Sequence, residues 1–156
     1  MNVLLSIKPE FAEKILRGSK KYEFRKTTFS HPEAVETVYL YSSSPVQRVV
    51  GAFTMAEVSE GSPRQLWEQF GHQSGMDDRD RFMAYFEDTE EGYAIGIDQV
   101  LELDEAIDPR ERIDDFVPPV SFHYLDDDSE LNVLNGSGAA SPGNSSPTKL
   151  EQYSSD

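Results

Sequence analysis

The chain opens on an unbroken apolar run, Val3 to Ile7, which predicts a first strand buried on both faces. Pro9 follows at a position where a missing N–H costs nothing, a helix start, and Phe11, Ala12, Ile15 and Leu16 recur on one face at helical spacing. Glu10 near the first turn and Arg17 near the last suit the helix dipole, and Gly18 is a natural left-handed cap. The period then changes from 3.6 to 2. Across Lys20-Lys21-Tyr22-Glu23-Phe24-Arg25, charged and aromatic residues alternate. Lys21, Glu23 and Arg25 should therefore project together while Tyr22 and Phe24 pack oppositely, with Lys20 at the turn beside them.

Thr37 to Tyr41 reads as a strand, the polar Ser42-Ser43-Ser44-Pro45 as a loop, and Val49 to Val58 as a longer strand with Gly51 at a bulge or bend. This pair is expected to build a sheet opposite the first strand. Ser62 before Pro63 predicts an N-cap and first helical residue, and Leu66, Trp67 and Phe70 the buried face of a short helix that Gly71 and Gly75 break. Asp77 to Glu87 predicts a further helix with Phe82, Tyr85 and Phe86 as its apolar stripe. Tyr93, Ile95 and Ile97 alternate as a strand that runs on through Leu103, and residues 107–117 read as loop or a brief helical turn. Val120 to Tyr124 reads as an edge strand, since the Pro118-Pro119 pair before it has no N–H to give a central ladder. From Asp126 an acidic run gives way to residues 136–147, almost wholly Gly, Ala, Ser, Pro and Asn. One folded domain over 1–125 and a disordered tail over 126–156 follow from that change, with Leu150 and Tyr153 as a candidate docking motif in the tail.

Composition narrows the chemistry. The 156 residues include no cysteine, and three scattered histidines lack metal-ligand spacing, so neither a metal nor another cofactor is expected. The first apolar run is too short for a signal segment, and no stretch of about 18 apolar residues occurs, which reads as a soluble, cytoplasmic protein with no membrane partner. The net charge is −15, but it is unevenly spread. Residues 1–26 hold seven Lys and Arg against three Asp and Glu, whereas the remainder holds seven against twenty-six. A basic island in so acidic a chain marks a candidate binding surface. Its plainer alternative is that these cations balance carboxylates and cap the helix. Acidity spread over nearly every loop also resembles a protein from a salt-accumulating cytoplasm, where screening makes self-repulsion tolerable.

Gly18, Lys20, Glu23 and Arg25 form a G-x-K-x-x-E-x-R pattern after the first strand and helix. Together with Leu5-Ser6-Ile7-Lys8-Pro9, Ser44-Pro45-Val46, Val50-Gly51 and Glu60-Gly61-Ser62-Pro63, they resemble the ASCH family of the PUA-like superfamily, of archaeal type, over roughly residues 1–125. The resemblance implies an α+β fold: a small PUA-like β-barrel with flanking short helices and a cleft beside the first helix that exposes the pattern residues. It also implies binding of RNA or a modified nucleotide.

In that role Lys8, Lys20, Arg25 and Lys26 are the candidate phosphate partners, with Glu23 accepting from an exocyclic amine or holding Arg25. Tyr41 and Ser44 complete the candidate ligand-binding set. Tyr39, Tyr41 and Trp67 are candidate stacking platforms, although large rings more often serve the core. Replacing Lys20 or Arg25 by Ala is expected to weaken binding with little loss of stability. An enzyme is the alternative, a small metal-independent hydrolase of RNA or of a modified nucleoside, with Lys20 and Glu23 as the catalytic pair. Amidohydrolases in the family resemble this chain at Lys20, but Glu23 stands in place of their Thr and Ser74 where their Glu would fall. A third reading is a protein-interaction module whose acidic face or tail engages a basic partner.

Overall fold

The computed structural model describes residues 1–134. Its first strand, β1 (Asn2–Ile7), is buried on both faces: Val3, Leu5 and Ile7 enter one core and Leu4 another. α1 (Pro9–Arg17) has Pro9 in its first turn, and Gly18 ends it in the left-handed region at φ 83°, a conformation that a Cβ would disfavour. Then come β2 (Tyr22–Arg25), β3 (Thr37–Ser42), β4 (Arg48–Gly61), α2 (Pro63–Phe70), α3 (Arg79–Tyr85), β5 (Gly92–Ile107) and β6 (Phe122–Leu125). Ser62 caps α2 through a reciprocal bond with Gln65, and Asp78 caps α3 by accepting from the Asp80 and Arg81 N–H groups.

The six strands form one sheet in the order β2-β5-β4-β3-β1-β6, curled into the half barrel of an α+β fold. Every pairing is antiparallel except β1 with β3. β3 thus lies beside the first strand rather than in a sheet opposite it, because the excursion through α1 and β2 is long enough to bring the chain back parallel. Register shifts between Val49 and Gly51, and again on either side of Met55, bend β4 against β5 and curl the sheet. The bulge expected at Gly51 is among them.

Period-2 alternation divides the core. Val38 and Leu40 join Val3, Leu5 and Ile7 beneath α1, with Ala12 and Ile15 of that helix. Tyr39 and Tyr41 face the other way, with Leu4, Val49 and Leu125. A third cluster joins Phe24 of β2 to Leu66 of α2 and to Phe82 and Phe86. Each fully buried side chain of this size contributes about 1.5–3 kcal/mol.

Residues beyond 125 still pack against the sheet. Leu131 is fully buried against the outer face, Asn132 Oδ1 accepts from Asn2 Nδ2 at 2.8 Å, and the Leu134 N–H donates to the Tyr39 hydroxyl at 2.7 Å. One leucine beyond the Asp126–Asp128 run covers apolar surface that would otherwise meet water. Leu150 and Tyr153 lie outside the described residues. Among the described residues no helix is long and apolar enough to cross a membrane.

Candidate functional site

Where α1 ends, the backbone turns sharply, and the Ser19 and Lys20 N–H groups both donate to the Lys14 carbonyl. This turn drives the Lys20 side chain inward. Lys20 is only 3% exposed; its Nζ donates to the Ser74 carbonyl at 2.6 Å, lies 3.2 Å from Glu23 Oε1, and sits 4.9 Å from the centre of the Phe11 ring. Burial pushes the Lys20 pKa down, against the pull of Glu23 and with a further push from Arg25 and Lys14. The other carboxylate oxygen of Glu23 accepts from Arg25 Nε at 2.8 Å. Arg25 Nη2 continues to the Ser6 carbonyl at 2.7 Å, and Nη1 approaches Ser121 Oγ at 3.4 Å. Lys20, Glu23 and Arg25 are therefore one buried, internally partnered chain of charges running from the loop before α3 to β1.

Such a network is stabilised by completeness. Each ion costs several kcal/mol to desolvate, and the mutual attraction offsets this only while every partner is present. Lys14 assists from α1: its Nζ donates to the Gly75 carbonyl at 2.6 Å, one residue beyond the carbonyl that Lys20 holds. Gly75 has φ 72°, and a Cβ there would stand 3.1 Å from both Lys14 Cδ and Lys20 Cβ, so this tight turn under the two lysines suits glycine. Two lysines thereby anchor the segment that leads into α3.

Above the network opens a cleft of about 810 Å³, bounded by α1, β2, α3 and residues 120–121. Its polar side carries Lys8, Lys26, Thr27, Ser43 and Ser121, and its apolar side Phe11, Met76, Phe82 and Tyr85. Lys8 and Lys26 are exposed, and Lys26 Nζ lies 5.0 Å from the centre of the Tyr85 ring, whose exposure is 40%. Burial raises the Tyr85 phenol pKa. Arg81 also lines the cleft and donates to Glu10 Oε1 at 2.7 Å, an exposed pair that contributes little to stability.

Of the residues singled out from sequence, Lys8, Lys20, Glu23, Arg25 and Lys26 meet at this cleft. Alternation along β2 is as expected: Tyr22 and Phe24 pack on Phe70 and Phe82, away from Glu23 and Arg25. Lys21 is exposed and does not line the cleft, because it precedes the strand. Tyr41 is 1% exposed on the opposite face of the sheet, where its parity with Tyr39 puts it. Ser44 is exposed in the loop beside the cis Ser44-Pro45 bond, and it is Ser43 that lines the cleft. Trp67 packs on Phe82 beneath α2, and Tyr39 is fully buried, so neither ring offers a face to the cleft.

Sequence reasoning passed over Arg81 and Tyr85, assigning Tyr85 to the core stripe of α3. Their i, i+4 spacing, which puts both on one helix face beside Phe82, is the signal that finds them. Phe11 packs against the core as its helical spacing predicts, and it also lines the cleft, where three cations surround its ring: Lys14 Nζ at 5.9 Å, Lys20 Nζ at 4.9 Å and Arg81 Cζ at 5.1 Å. Among the described residues no group of three or more His, Asp or Glu side chains is arranged to hold a metal ion.

Known proteins share this arrangement of elements. The chain is 27% identical over 133 residues to an ASCH domain-containing ribonuclease of Zymomonas mobilis, covering 78% of this chain and 82% of that protein. It is 31% identical over 93 residues to a protein named ATP synthase subunit alpha from Ureaplasma parvum, and spans only 11% of that protein's length. The crystal structure of ASCH from Zymomonas mobilis superposes with a TM-score of 0.71 at 26% identity, covering 81% of this chain and 88% of that one. A serine-to-alanine mutant of the same protein gives 0.73 at 25% identity, covering 81% and 89%. The ASCH domain profile itself matches residues 5–104, from the first strand through most of β5, and the chain belongs to the ASCH domain family.

Proposed function

We propose that the cleft binds a single-stranded RNA segment or a modified nucleotide. The observation that carries this reading is the convergence on one cavity of cations from three separate elements, Lys8, Lys26 and Arg81, beside the accessible ring of Tyr85. Cations engage phosphate, and an exposed aromatic face stacks an unpaired base for about 1–3 kcal/mol. A cleft with one accessible ring suits a splayed base rather than a duplex. The relative named as a ribonuclease supports RNA as the ligand class. Lys20, Glu23 and Arg25 form the floor that holds α3 and β1 at the right separation.

The same relative favours a second reading, in which RNA is cleaved here. Lys20 and Glu23 are then the catalytic pair. A lysine whose pKa burial lowers is closer to neutrality, so its amine would take the proton from a ribose 2′-hydroxyl. The 2′-oxygen attacks the adjacent phosphorus and the 5′-oxygen leaves with a proton returned by the ammonium, while the Arg25 guanidinium faces the developing phosphorane charge. For amide hydrolysis on a modified base, the structure offers Ser74 next to Lys20 through its carbonyl, but the Ser74 hydroxyl is already donated to Gly71 O at 2.7 Å.

Incubation with random-sequence RNA and a panel of modified nucleosides, following retention and product mass together, tests both readings. Retention of an unchanged ligand, weakened by Lys26→Ala, establishes binding without chemistry. Shortened RNA, or a new nucleoside mass, establishes an enzyme. Neither outcome, with capture of a basic protein instead, would move the function to the acidic surface.

A further inference from the structure

The ligand's size is written in the charge around the cleft. Resting on the reading of the cleft as a nucleotide site, we infer that it takes one or two nucleotides, as a free nucleotide or a chain end, and that RNA beyond them gains no affinity. The cleft lining holds five cations, Lys8, Lys20, Arg25, Lys26 and Arg81, and a single carboxylate, Glu23. That is a local net of +4, which leaves −19 on the rest of the chain. Among the described residues no continuous run of lysine and arginine leads out of it. Exposed carboxylates stand close in the chain to two of the three exposed rim cations and to Tyr85: Glu10 and Glu13 after Lys8, Asp77, Asp78 and Asp80 around Arg79 and before Arg81, and Glu87 and Asp88 after Tyr85. A phosphate outside the cleft would therefore meet like charge, where a groove that tracks RNA would supply lysine or arginine.

The count of available cations sets the footprint. Lys20 is buried and Arg25 mostly so, both are bonded to partners within the protein, and Arg81 is paired with Glu10. Lys8 and Lys26 remain, both exposed and neither in a salt bridge among the described residues, with Lys8 near enough to Glu10 to help hold its carboxyl pKa down. Two neutralised phosphates is thus the upper bound. The cavity, about 810 Å³, falls within the roughly 300–1,000 Å³ that encloses one small ligand. Counterion release scales with the number of phosphates neutralised, with a slope of log K on log salt of about −0.7 per phosphate on a single strand.

Random-sequence RNA pools of one, two, four, eight and sixteen nucleotides, each with a 5′-phosphate, are titrated against the full chain at several KCl concentrations. Affinity is expected to level off by two nucleotides, with a salt slope no steeper than about −1.4 at every length. The double variant Asp77→Lys/Glu87→Lys, which supplies cations just outside the rim, is expected to bind the sixteen-nucleotide pool several-fold tighter than wild type while leaving the dinucleotide unchanged. Affinity that climbs from two to sixteen nucleotides in the wild type, with a slope near −3 or steeper, would overturn the short footprint and leave RNA binding standing. No binding at any length would overturn both.

Discussion

Arg25 and Ser6 stand on strands that do not pair, yet the Arg25 guanidinium donates to the Ser6 carbonyl at 2.7 Å. β2 is one edge of the sheet and β1 lies next to the other, so this bond reaches across the open seam of the half barrel. The same side chain holds Glu23, and through it Lys20. A pattern that reads from sequence as an exposed binding motif is, in the fold, a clasp beneath the candidate cleft.

Arg25→Ala should therefore cost stability, contrary to what an exposed ligand contact would do. It leaves a buried carboxylate with one partner and opens the seam, for a loss of roughly 2–4 kcal/mol. Arg25→Lys should recover only part, because an ammonium cannot bond Glu23 and Ser6 with the planar guanidinium's reach. Urea denaturation measures both; a loss under about 0.5 kcal/mol for Arg25→Ala would show that the seam closes without the clasp.

Tyr85 sits at the rim with its ring partly open to solvent, and its truncation should separate binding from folding. Tyr85→Ala is expected to weaken nucleotide binding roughly 5- to 150-fold with stability changed by less than about 1 kcal/mol. Tyr85→Phe, which keeps the ring, should retain most of the affinity. Equal affinity in wild type and Tyr85→Ala would place the base elsewhere in the cleft.

Tyr39, on the outer face, links pH to folding. Burial pushes its phenol up to about 12, against the hydrogen bond it accepts from the Leu134 N–H. An acid whose folded pKa lies above its unfolded value of 10.0 binds its proton more tightly in the native state. Its contribution is therefore complete below pH 10 and is lost as pH rises through about 12. Thermal denaturation across that window should show Tyr39→Phe falling less steeply than wild type; parallel curves would mean that other groups govern the alkaline limb.

Leu131 tests where the domain ends. It is fully buried against Leu4 and Tyr39, so Leu131→Ala should cost about 2–4 kcal/mol, and a chain stopped at residue 125 should be destabilised further by losing the Asn2–Asn132 bond as well. A 1–125 fragment with the melting temperature of the full chain would return the 126–134 segment to the tail.

Much of the fold was legible because it follows from local rules. The apolar run of β1, the Pro9 start and Gly18 stop of α1, the Ser62 cap of α2 and the alternation of Tyr22 and Phe24 against Glu23 and Arg25 each depend on residues within a turn or a pleat of one another. Parallel pairing of β1 with β3 was not legible, because strand patterning says which face is apolar and nothing about which neighbour the strand chooses. Tyr41 illustrates the same limit: its side follows from parity with Tyr39, but which side carries the cleft does not.

By itself the sequence determined the elements, the basic character of the first 26 residues and the family pattern, since these rest on composition and on spacing of a few residues. Tertiary structure decided what the charges do. Whether Lys20 is a surface cation or a buried one depends on Ser74, Phe11 and Glu23 closing over it, and whether Arg25 meets a ligand or the barrel seam depends on a strand nineteen positions away in the chain. It also decided that Tyr85 and Arg81 belong to the cleft, because the angle at which α3 docks is set by Phe24, Phe82 and the lysines holding residues 74 and 75. Burial and long-range hydrogen bonds are properties of the packed chain, and they turn one pattern of charges into a scaffold and leave another at the rim.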